Sequence, residues 1–349
     1  MKKSLLALAV LGACAGVAQA QSSVVIYGNL DAGLIKRTDA STNIGKRMNN
    51  TLGFKGTEDL GNGLKAIFQL EMRYEPDTGT VESGSRPMFQ GQSRVGLTGG
   101  FGTLRIGRGL TAFQESSIAF EPFHGIPSPA GFQADLTVAG YTSDPLSPAG
   151  NSANRFSNAV WYNSPEFHGI QINTTIGSKD ANGSVAIPGR GIGGGPQYVA
   201  NAPASANPYS ISATWKSGPG ALMLAAERNA IETEVKSFAG SVMVSDATKL
   251  MFSITRQDQS HSVLVNSATK AWVVGANHTL GANKFLFGIG AKTPDGMAKV
   301  KQLSLGYEYS LSKRTYIYAD VSQKEGAPRI APSTKTSIKH LDLGINHAF

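Results

Sequence analysis

The 349-residue sequence predicts an all-β fold, a 16-stranded antiparallel transmembrane β-barrel with an infolded third loop. Three observations predict this class. Apolar and polar residues alternate over segments of strand length, the connections between segments are short and long in turn, and 41 glycines are dispersed among β-forming residues. An alternating segment of about ten residues can cross a bilayer as a tilted strand, whereas a soluble strand is usually about half as long.

The N-terminus has the pattern of a secretory signal peptide. Two lysines precede an apolar stretch from Leu5 to Leu11, and Ala18-Gln19-Ala20 provides a small-residue cleavage site. We therefore assign residues 1–20 to the signal peptide and residues 21–349 to a single barrel domain. In an alternative interpretation, Leu11-Gly12-Ala13-Cys14 is a lipoprotein cleavage box that leaves its cysteine lipidated.

The formal net charge of +8 bears on the partners of the chain. A basic chain can bind nucleic acid, but export argues against nucleic acid as a partner. Anionic solutes and the phosphates of lipopolysaccharide are therefore the expected partners for the excess positive charge.

Alternation is clearest in three segments. Apolar residues dominate every second position from Leu303 to Leu311, from Ala66 to Tyr74 and from Leu341 to Phe349. Charged residues in these segments fall opposite the apolar row, where a wide barrel places them in its lumen. Turn signals divide the rest of the chain in the same way. The sixteen predicted strands begin near Val24, Arg47, Leu64, Gln92, Thr103, Asn158, Ile170, Tyr209, Ala221, Val235, Thr248, Lys270, Lys284, Val300, Arg314 and Thr336.

The connections alternate in length, as they do in outer-membrane barrels with short periplasmic turns and long extracellular loops. Short connections occur at Glu58–Gly63, Gly99–Gly102, Ser217–Gly220 and Leu311–Lys313, and long ones near Asp77–Gly91, Leu110–Ala153, Lys179–Pro208 and Gln323–Pro332. A loop as long as Leu110–Ala153 is normally functional. We expect it to fold into the lumen and form a constriction, the alternative being an exposed flexible loop.

Seven short blocks lie in order along the chain after residue 20. They are Gln21–Gly28, Gly56–Ala66, Val95–Leu97, Gly102–Arg108, Asn158–Pro165, Leu311–Thr315 and His347–Phe349. Together these blocks resemble the general porins of β-proteobacteria, of the Neisseria, Burkholderia and Comamonas type. The resemblance implies a homotrimer in the outer membrane, surrounded by lipid and lipopolysaccharide. Each barrel would form a water-filled channel for passive diffusion of small hydrophilic solutes and ions.

The resemblance also implies basic residues on the barrel wall that face carboxylates of the infolded loop. Arg155 falls on one wall-arginine position of the family, whereas two other positions carry Thr51 and either Gly91 or Gln92. We therefore expect a weak anion preference. Independently of the resemblance, the alternation within strands predicts four cations that face the lumen, Lys55, Arg73, Arg94 and Arg105. They are expected to face the loop carboxylates Glu115 and Glu121.

Two further residues have predicted roles. Glu71, close to Arg73 on the same face, is expected to pair with a wall arginine rather than to act as a catalyst. Phe349 ends an alternating segment and is interpreted as the signal read by the barrel assembly machinery, although a rim aromatic on a lipid-facing wall explains it equally well.

The sequence offers little support for a cofactor, a metal or catalysis. The six histidines show no ligand spacing, Gly189–Gly195 lacks the Lys-Ser/Thr ending of a phosphate loop, and no Gly-x-Ser-x-Gly elbow occurs. We expect no cofactor and no enzymatic activity. Two alternatives stay open, a substrate-specific channel of the same fold and an outer-membrane barrel enzyme such as a phospholipase.

Overall fold

A computed structural model describes residues 23–82, 88–132, 136, 155–179, 206–230, 232–258, 268–295, 299–326 and 337–349. Over those ranges, seventeen strands form a single antiparallel sheet in which β1 pairs with both β3 and β17, so the sheet closes on itself. The strands are β1 (Ser23–Arg37), β2 (Asn43–Gly45), β3 (Asn50–Gly61), β4 (Leu64–Tyr74), β5 (Gln92–Gly99), β6 (Gly102–Leu110), β7 (Arg155–Asn163), β8 (Ile170–Gly177), β9 (Tyr209–Ser217), β10 (Gly220–Arg228), β11 (Glu234–Ser245), β12 (Thr248–Asp258), β13 (Ala268–Leu280), β14 (Asn283–Pro294), β15 (Val300–Ser310), β16 (Thr315–Glu325) and β17 (Ser337–Ala348). Closure leaves no unpaired sheet edge, as a barrel in lipid requires.

The short strand β2 and the long strand β3 act as one interrupted strand. Both pair with β1, through Leu34 with Ile44 and through Tyr27 with Gly53. The barrel therefore has sixteen crossing strands, which confirms the predicted number. The predicted start of the second strand, near Arg47, lies three residues before β3, inside the interruption, and the side chain of Arg47 is buried inside the barrel. All sixteen predicted starts lie within three residues of the observed ones, with β3 taken as the second crossing strand.

The two faces of the sheet have the predicted polarity. On β15, Leu303 and Leu305 are 45% and 48% exposed on the outer face, whereas Ser304 between them is fully buried in the interior. The same alternation continues around the barrel and forms an apolar outer band that suits hydrocarbon. Among the described residues, no helix combines the length and the apolar character needed to cross a bilayer.

Short turns and both ends of the described chain lie at one rim. Asn62 and Gly63 connect β3 to β4 with positive φ angles of +52° and +76°, the geometry of a two-residue hairpin turn that favours asparagine and glycine. At the same rim, the backbone N–H of Phe349 donates to Gly28 O, and that of Gly28 donates to Phe349 O, each at 3.1 Å. These bonds join the C-terminus to the wall of β1.

The third loop enters the lumen, as predicted, over its described residues 111–132 and 136. It contains helix α1 (Ala112–Ser117) and a 3₁₀ turn (Ile118–Phe120). Phe113 packs against inward-facing side chains of β10 and β11, and Phe123 packs in a cluster with side chains of β13 and β14. The loop therefore lies along the inner wall of the second half of the barrel. The predicted signal peptide with Cys14, and the Gly189–Gly195 segment, lie outside the described residues.

Candidate pore constriction

Three neighbouring strands present a row of polar side chains to the lumen. Lys55 of β3 is paired with Gln69 of β4, and Gln69 is paired with Arg94 of β5. The next strand adds Arg105, which is opposite Gly96. A Cβ at Gly96 would overlap the backbone O of Leu104 and lie 2.9 Å from Cγ of Arg105, so only glycine fits beside this strand and its arginine. Strand parity thus places the cations as predicted.

Helix α1 carries the loop carboxylate to this row. Its N-terminal N–H groups are bound by hydroxyl groups: Ala112 N donates to Thr175 Oγ1 at 3.0 Å and Phe113 N donates to Ser210 Oγ at 2.9 Å. Thr111 caps the helix by accepting from the backbone N–H of Gln114. The wall strands β8 and β9 therefore hold the first turn of the loop in place.

Glu115 bridges the two wall arginines. Arg94 Nη1 is 2.7 Å from Glu115 Oε1, and Arg105 Nη2 is 3.1 Å from Glu115 Oε2. The sequence predicts wall cations and loop carboxylates that face each other across the lumen, but the structure brings them into direct contact. One carboxylate thus compensates part of the charge of two arginines, which points to a modest field at this position.

A hydrogen-bonded chain fixes the row behind these ion pairs. Arg94 donates from Nε and Nη2 to Gln69 Oε1 at 3.1 and 2.9 Å, and Gln69 Nε2 donates to the Tyr27 hydroxyl at 2.7 Å. That hydroxyl in turn donates to Glu71 Oε2 at 3.0 Å. Glu71 is therefore bonded directly to a tyrosine rather than to a wall arginine. The ammonium group of Lys55 lies 5.1 Å from the centroid of the Tyr27 ring, within cation–π range.

Two of the proposed cations lie away from Glu115, toward the rim of the long loops. Arg73 Nη1 is 3.9 Å from Glu82 Oε2. Arg155 is only 2% exposed, and its Nε donates to Gly91 O at 2.7 Å. The guanidinium of Arg155 thus supports the backbone that precedes β5 and has little contact with the lumen.

Glu121 lies inside the third loop. Its Oε2 accepts from the backbone N–H of Gly125 at 2.5 Å, and its Oε1 accepts from that of Phe132 at 3.0 Å. The carboxyl group therefore joins two turns of the loop, and the structure does not bring it beside Lys55, Arg94 or Arg105. Burial raises the pKa of Glu121 to about 7, although the backbone hydrogen bonds oppose this shift.

This raised pKa predicts that stability falls as pH rises through the range below neutrality. Between the ordinary pKa of 4.5 and about 7, the folded protein keeps a proton on Glu121 that the unfolded chain loses, so folding becomes less favourable, by on the order of 3 kcal/mol at most. Thermal unfolding in detergent from pH 4 to 8 should show this slope, and Glu121→Gln should flatten it. Equal slopes in both proteins would contradict the assignment.

A second segment also enters the lumen, which the alternation did not predict. In the interruption between β2 and β3, Arg47 donates from Nε to Asp320 Oδ2 at 2.5 Å and from Nη1 to Glu308 Oε1 at 2.7 Å. Its backbone N–H donates to Asp31 Oδ1 at 2.6 Å. Next to it, Met48 packs against the phenylalanine cluster of the third loop. The two inward segments therefore support each other.

A basic group lies on the far wall, beneath the third loop. Lys249 Nζ donates to Ala119 O at 2.7 Å. Lys284 Nζ and Asn277 Nδ2 lie 2.7 and 3.3 Å from His124 Nε2, which must act as the acceptor and leaves the imidazole neutral. Burial and the Lys284 ammonium lower the pKa of His124 to about 4. Lys249 and Lys284 each lie next to an outward apolar residue, Leu250 and Phe285. Strand alternation therefore predicts that both lysines face the lumen, although they are not among the cations predicted from the sequence.

We call Lys55, Gln69, Arg94 and Arg105 the wall row. Together with the two inward segments, the wall row narrows the aqueous path through the barrel. A closed barrel with an apolar outer face, a polar interior and an infolded loop defines a water-filled transmembrane channel. Among the described residues, no three His, Cys, Asp or Glu side chains converge as a metal site requires.

Comparison with known proteins agrees with this class. The chain matches the Gram-negative porin family over residues 7–327 and therefore belongs to it, as a channel protein of the outer membrane. Outer membrane porin protein 32 of Delftia acidovorans is 31% identical over 385 aligned residues, covering 100% of both chains. An outer membrane porin protein of Bordetella pertussis is 27% identical over 415 aligned residues, with the same coverage. The anion-selective porin from Comamonas acidovorans has the same fold, with a TM-score of 0.73 at 20% identity, over 94% of this chain and 100% of that chain.

Proposed function

We propose that this porin is a general diffusion channel with a weak anion preference that the wall row sets. The main support for the proposal is that the wall row, with the loop carboxylate that contacts it, has more positive than negative charge. Three cations, Lys55, Arg94 and Arg105, face the lumen, and Glu115 is the carboxylate in contact with the two arginines. Among the described residues, Lys55 has no carboxylate within ion-pair distance, and its exposed ammonium can attract a passing anion.

Opposite charge changes at the row should move selectivity in opposite directions. We expect Glu115→Gln to raise the chloride-to-potassium permeability ratio and Lys55→Gln to lower it, each by roughly two- to fivefold, because one charge acts at a narrow site with little screening water. Reversal potentials in a potassium chloride gradient across planar bilayers measure both changes. Lys313→Gln, in the exposed turn between β15 and β16, is the control and should leave the ratio unchanged.

Shifts of the same sign in both row variants, or a cation-selective wild type, would contradict the proposal. The same recordings address the substrate-specific alternative. A conductance that rises linearly with salt and is not blocked by a single solute supports general diffusion, whereas saturation supports a binding site. The porin family and fold account for such a channel without any chemical reaction, which supports a protein without enzymatic activity.

We also propose that the channel assembles as a homotrimer and is inserted by the barrel assembly machinery. A trimer form of OmpT from Vibrio cholerae has the same fold, with a TM-score of 0.63 at 14% identity, which supports the oligomer. Phe349 is 43% exposed at the short-turn rim, where a second protein can reach it. That position supports its role as an assembly signal.

A further inference from the structure

Three basic residues form a row on the outer surface of the barrel, on the face opposite the lumen. Lys236 of β11 is paired directly with Arg256 of β12, and Arg256 is paired directly with Lys270 of β13. The side chains of Lys236 and Arg256 are 70% and 55% exposed, and Lys270 is also exposed. We call these three residues the outer basic row.

Such a row is unfavourable without a counter-ion. Like charges placed directly opposite each other on adjacent strands destabilise a sheet. The neighbouring carboxylates compensate only in part: Glu234 is 3.3 Å from Lys236 and Asp258 is 3.9 Å from Arg256, both one step closer to the loops, with side chains 39% and 37% exposed. Pairs this exposed contribute little. On either side, the row ends in uncharged residues, Ala226 and Thr293.

The row also marks a boundary of polarity. One step further from the loops, the outward positions of the same strands are Phe238, Ile254 and Trp272, which are again paired directly with one another. Their exposed fractions are 38%, 56% and 38%. An aromatic residue just below a basic one is the arrangement expected where hydrocarbon meets lipid headgroups. The outer basic row therefore lies at headgroup depth.

The row lies at the rim opposite the short turns, because Lys236 and Lys270 are each two residues from the loop-side start of their strands. That rim carries the long loops and faces the cell exterior. The headgroups at this depth belong to the outer leaflet, which in a Gram-negative outer membrane is phosphorylated glycolipid.

We propose that the outer basic row binds the phosphate groups of this glycolipid, with the acyl chains lying over Phe238, Ile254 and Trp272. Charge complementarity selects the phosphate, and the apolar row beneath it selects a lipid over free inorganic phosphate. Binding here is independent of the selectivity proposed for the channel, since the row and the constriction occupy opposite faces of the wall.

Lipid binding to the purified full-length protein in detergent tests the proposal. The probes are hexa-acylated lipid A with two phosphates and the same lipid without phosphates, and native mass spectrometry gives their affinities. We expect Lys236→Gln/Arg256→Gln/Lys270→Gln to weaken binding of the phosphorylated lipid by at least about tenfold, since each basic residue near a membrane surface contributes about 1 kcal/mol. Lys313→Gln/Arg314→Gln, at the opposite rim, should bind like the wild type.

Several results would overturn the proposal. They are wild-type affinity in the triple variant, equally tight binding of the phosphate-free lipid, and displacement of the lipid by millimolar inorganic phosphate. Unchanged single-channel conductance of the triple variant shows that its barrel is intact. If that variant does not insert, Lys270→Gln alone replaces it, with an expected loss of affinity of about fivefold and the same criteria.

Discussion

Replacing Arg47 by alanine is expected to destabilise the folded barrel by about 3–5 kcal/mol, because it leaves Asp320 and the largely buried Glu308 without their guanidinium partner. Removal of one partner from a buried pair costs more than the pair itself contributes, since the remaining charge stays desolvated. Chemical unfolding in detergent, followed by tryptophan fluorescence, measures the loss. The ionic current through the variant should also be larger and noisier, because Met48 loses its neighbouring anchor against the third loop.

The matched control removes the charges together. Arg47→Met/Asp320→Asn leaves no charge of this group unpaired, because Glu308 keeps the Lys284 ammonium at 3.4 Å, and we expect it to recover a large part of the lost stability. Arg314→Ala, exposed in a short turn, should stay within about 0.5 kcal/mol of the wild type. A loss below about 1 kcal/mol in Arg47→Ala, with an unchanged current, would show that the inward segment does not depend on these pairs.

Replacing Phe123 by alanine should loosen the third loop. Phe123 has no exposed surface, and its ring lies 6.0 Å from that of Phe132 within the cluster that contacts Val273 and Leu286. Truncation of a buried phenylalanine typically costs about 3–5 kcal/mol through lost burial and a residual cavity. Single-channel conductance should rise, because the loop no longer keeps its position along the inner wall.

Phe287→Ala provides the comparison for this prediction. Phe287 is adjacent to Leu286 on β14 but points outward and is 40% exposed. Its truncation removes the same atoms without touching the loop, so we expect unchanged conductance and a smaller loss of stability. If both variants change the conductance equally, the loop cluster does not control the width of the channel.

Strand parity explains why so much of the architecture could be predicted. In a strand, neighbouring side chains point to opposite faces, and hydrocarbon on one face with water on the other makes a one-residue slip costly. Residue type alone therefore indicates that Leu303 and Phe54 face lipid and that their neighbours Ser304 and Lys55 face the lumen. The same rule places Arg94 and Arg105 in the lumen without any knowledge of their partners.

The interruption at Arg47 could not be found in this way, for a physical reason. Lys46-Arg47-Met48-Asn49 contains neither proline nor glycine, and its polar residues also suit a strand rim. The contacts that pull it inward come from β15 and β16, far along the chain. Loop carboxylates present the same difficulty. Nothing local distinguishes Glu115, which meets the wall arginines, from Glu121, which closes the loop on itself.

The pairing of Arg47 with residues 261 and 273 positions further along the chain links the shape of the aqueous path to the completion of the polypeptide. A truncated chain that ends before β15 offers no carboxylate to receive this guanidinium, and an unpaired guanidinium does not leave water for a protein interior. The inward segment therefore reaches its position only in a chain that extends through β16. The contact that shapes the passage for solutes also distinguishes chains that include β15 and β16 from shorter ones.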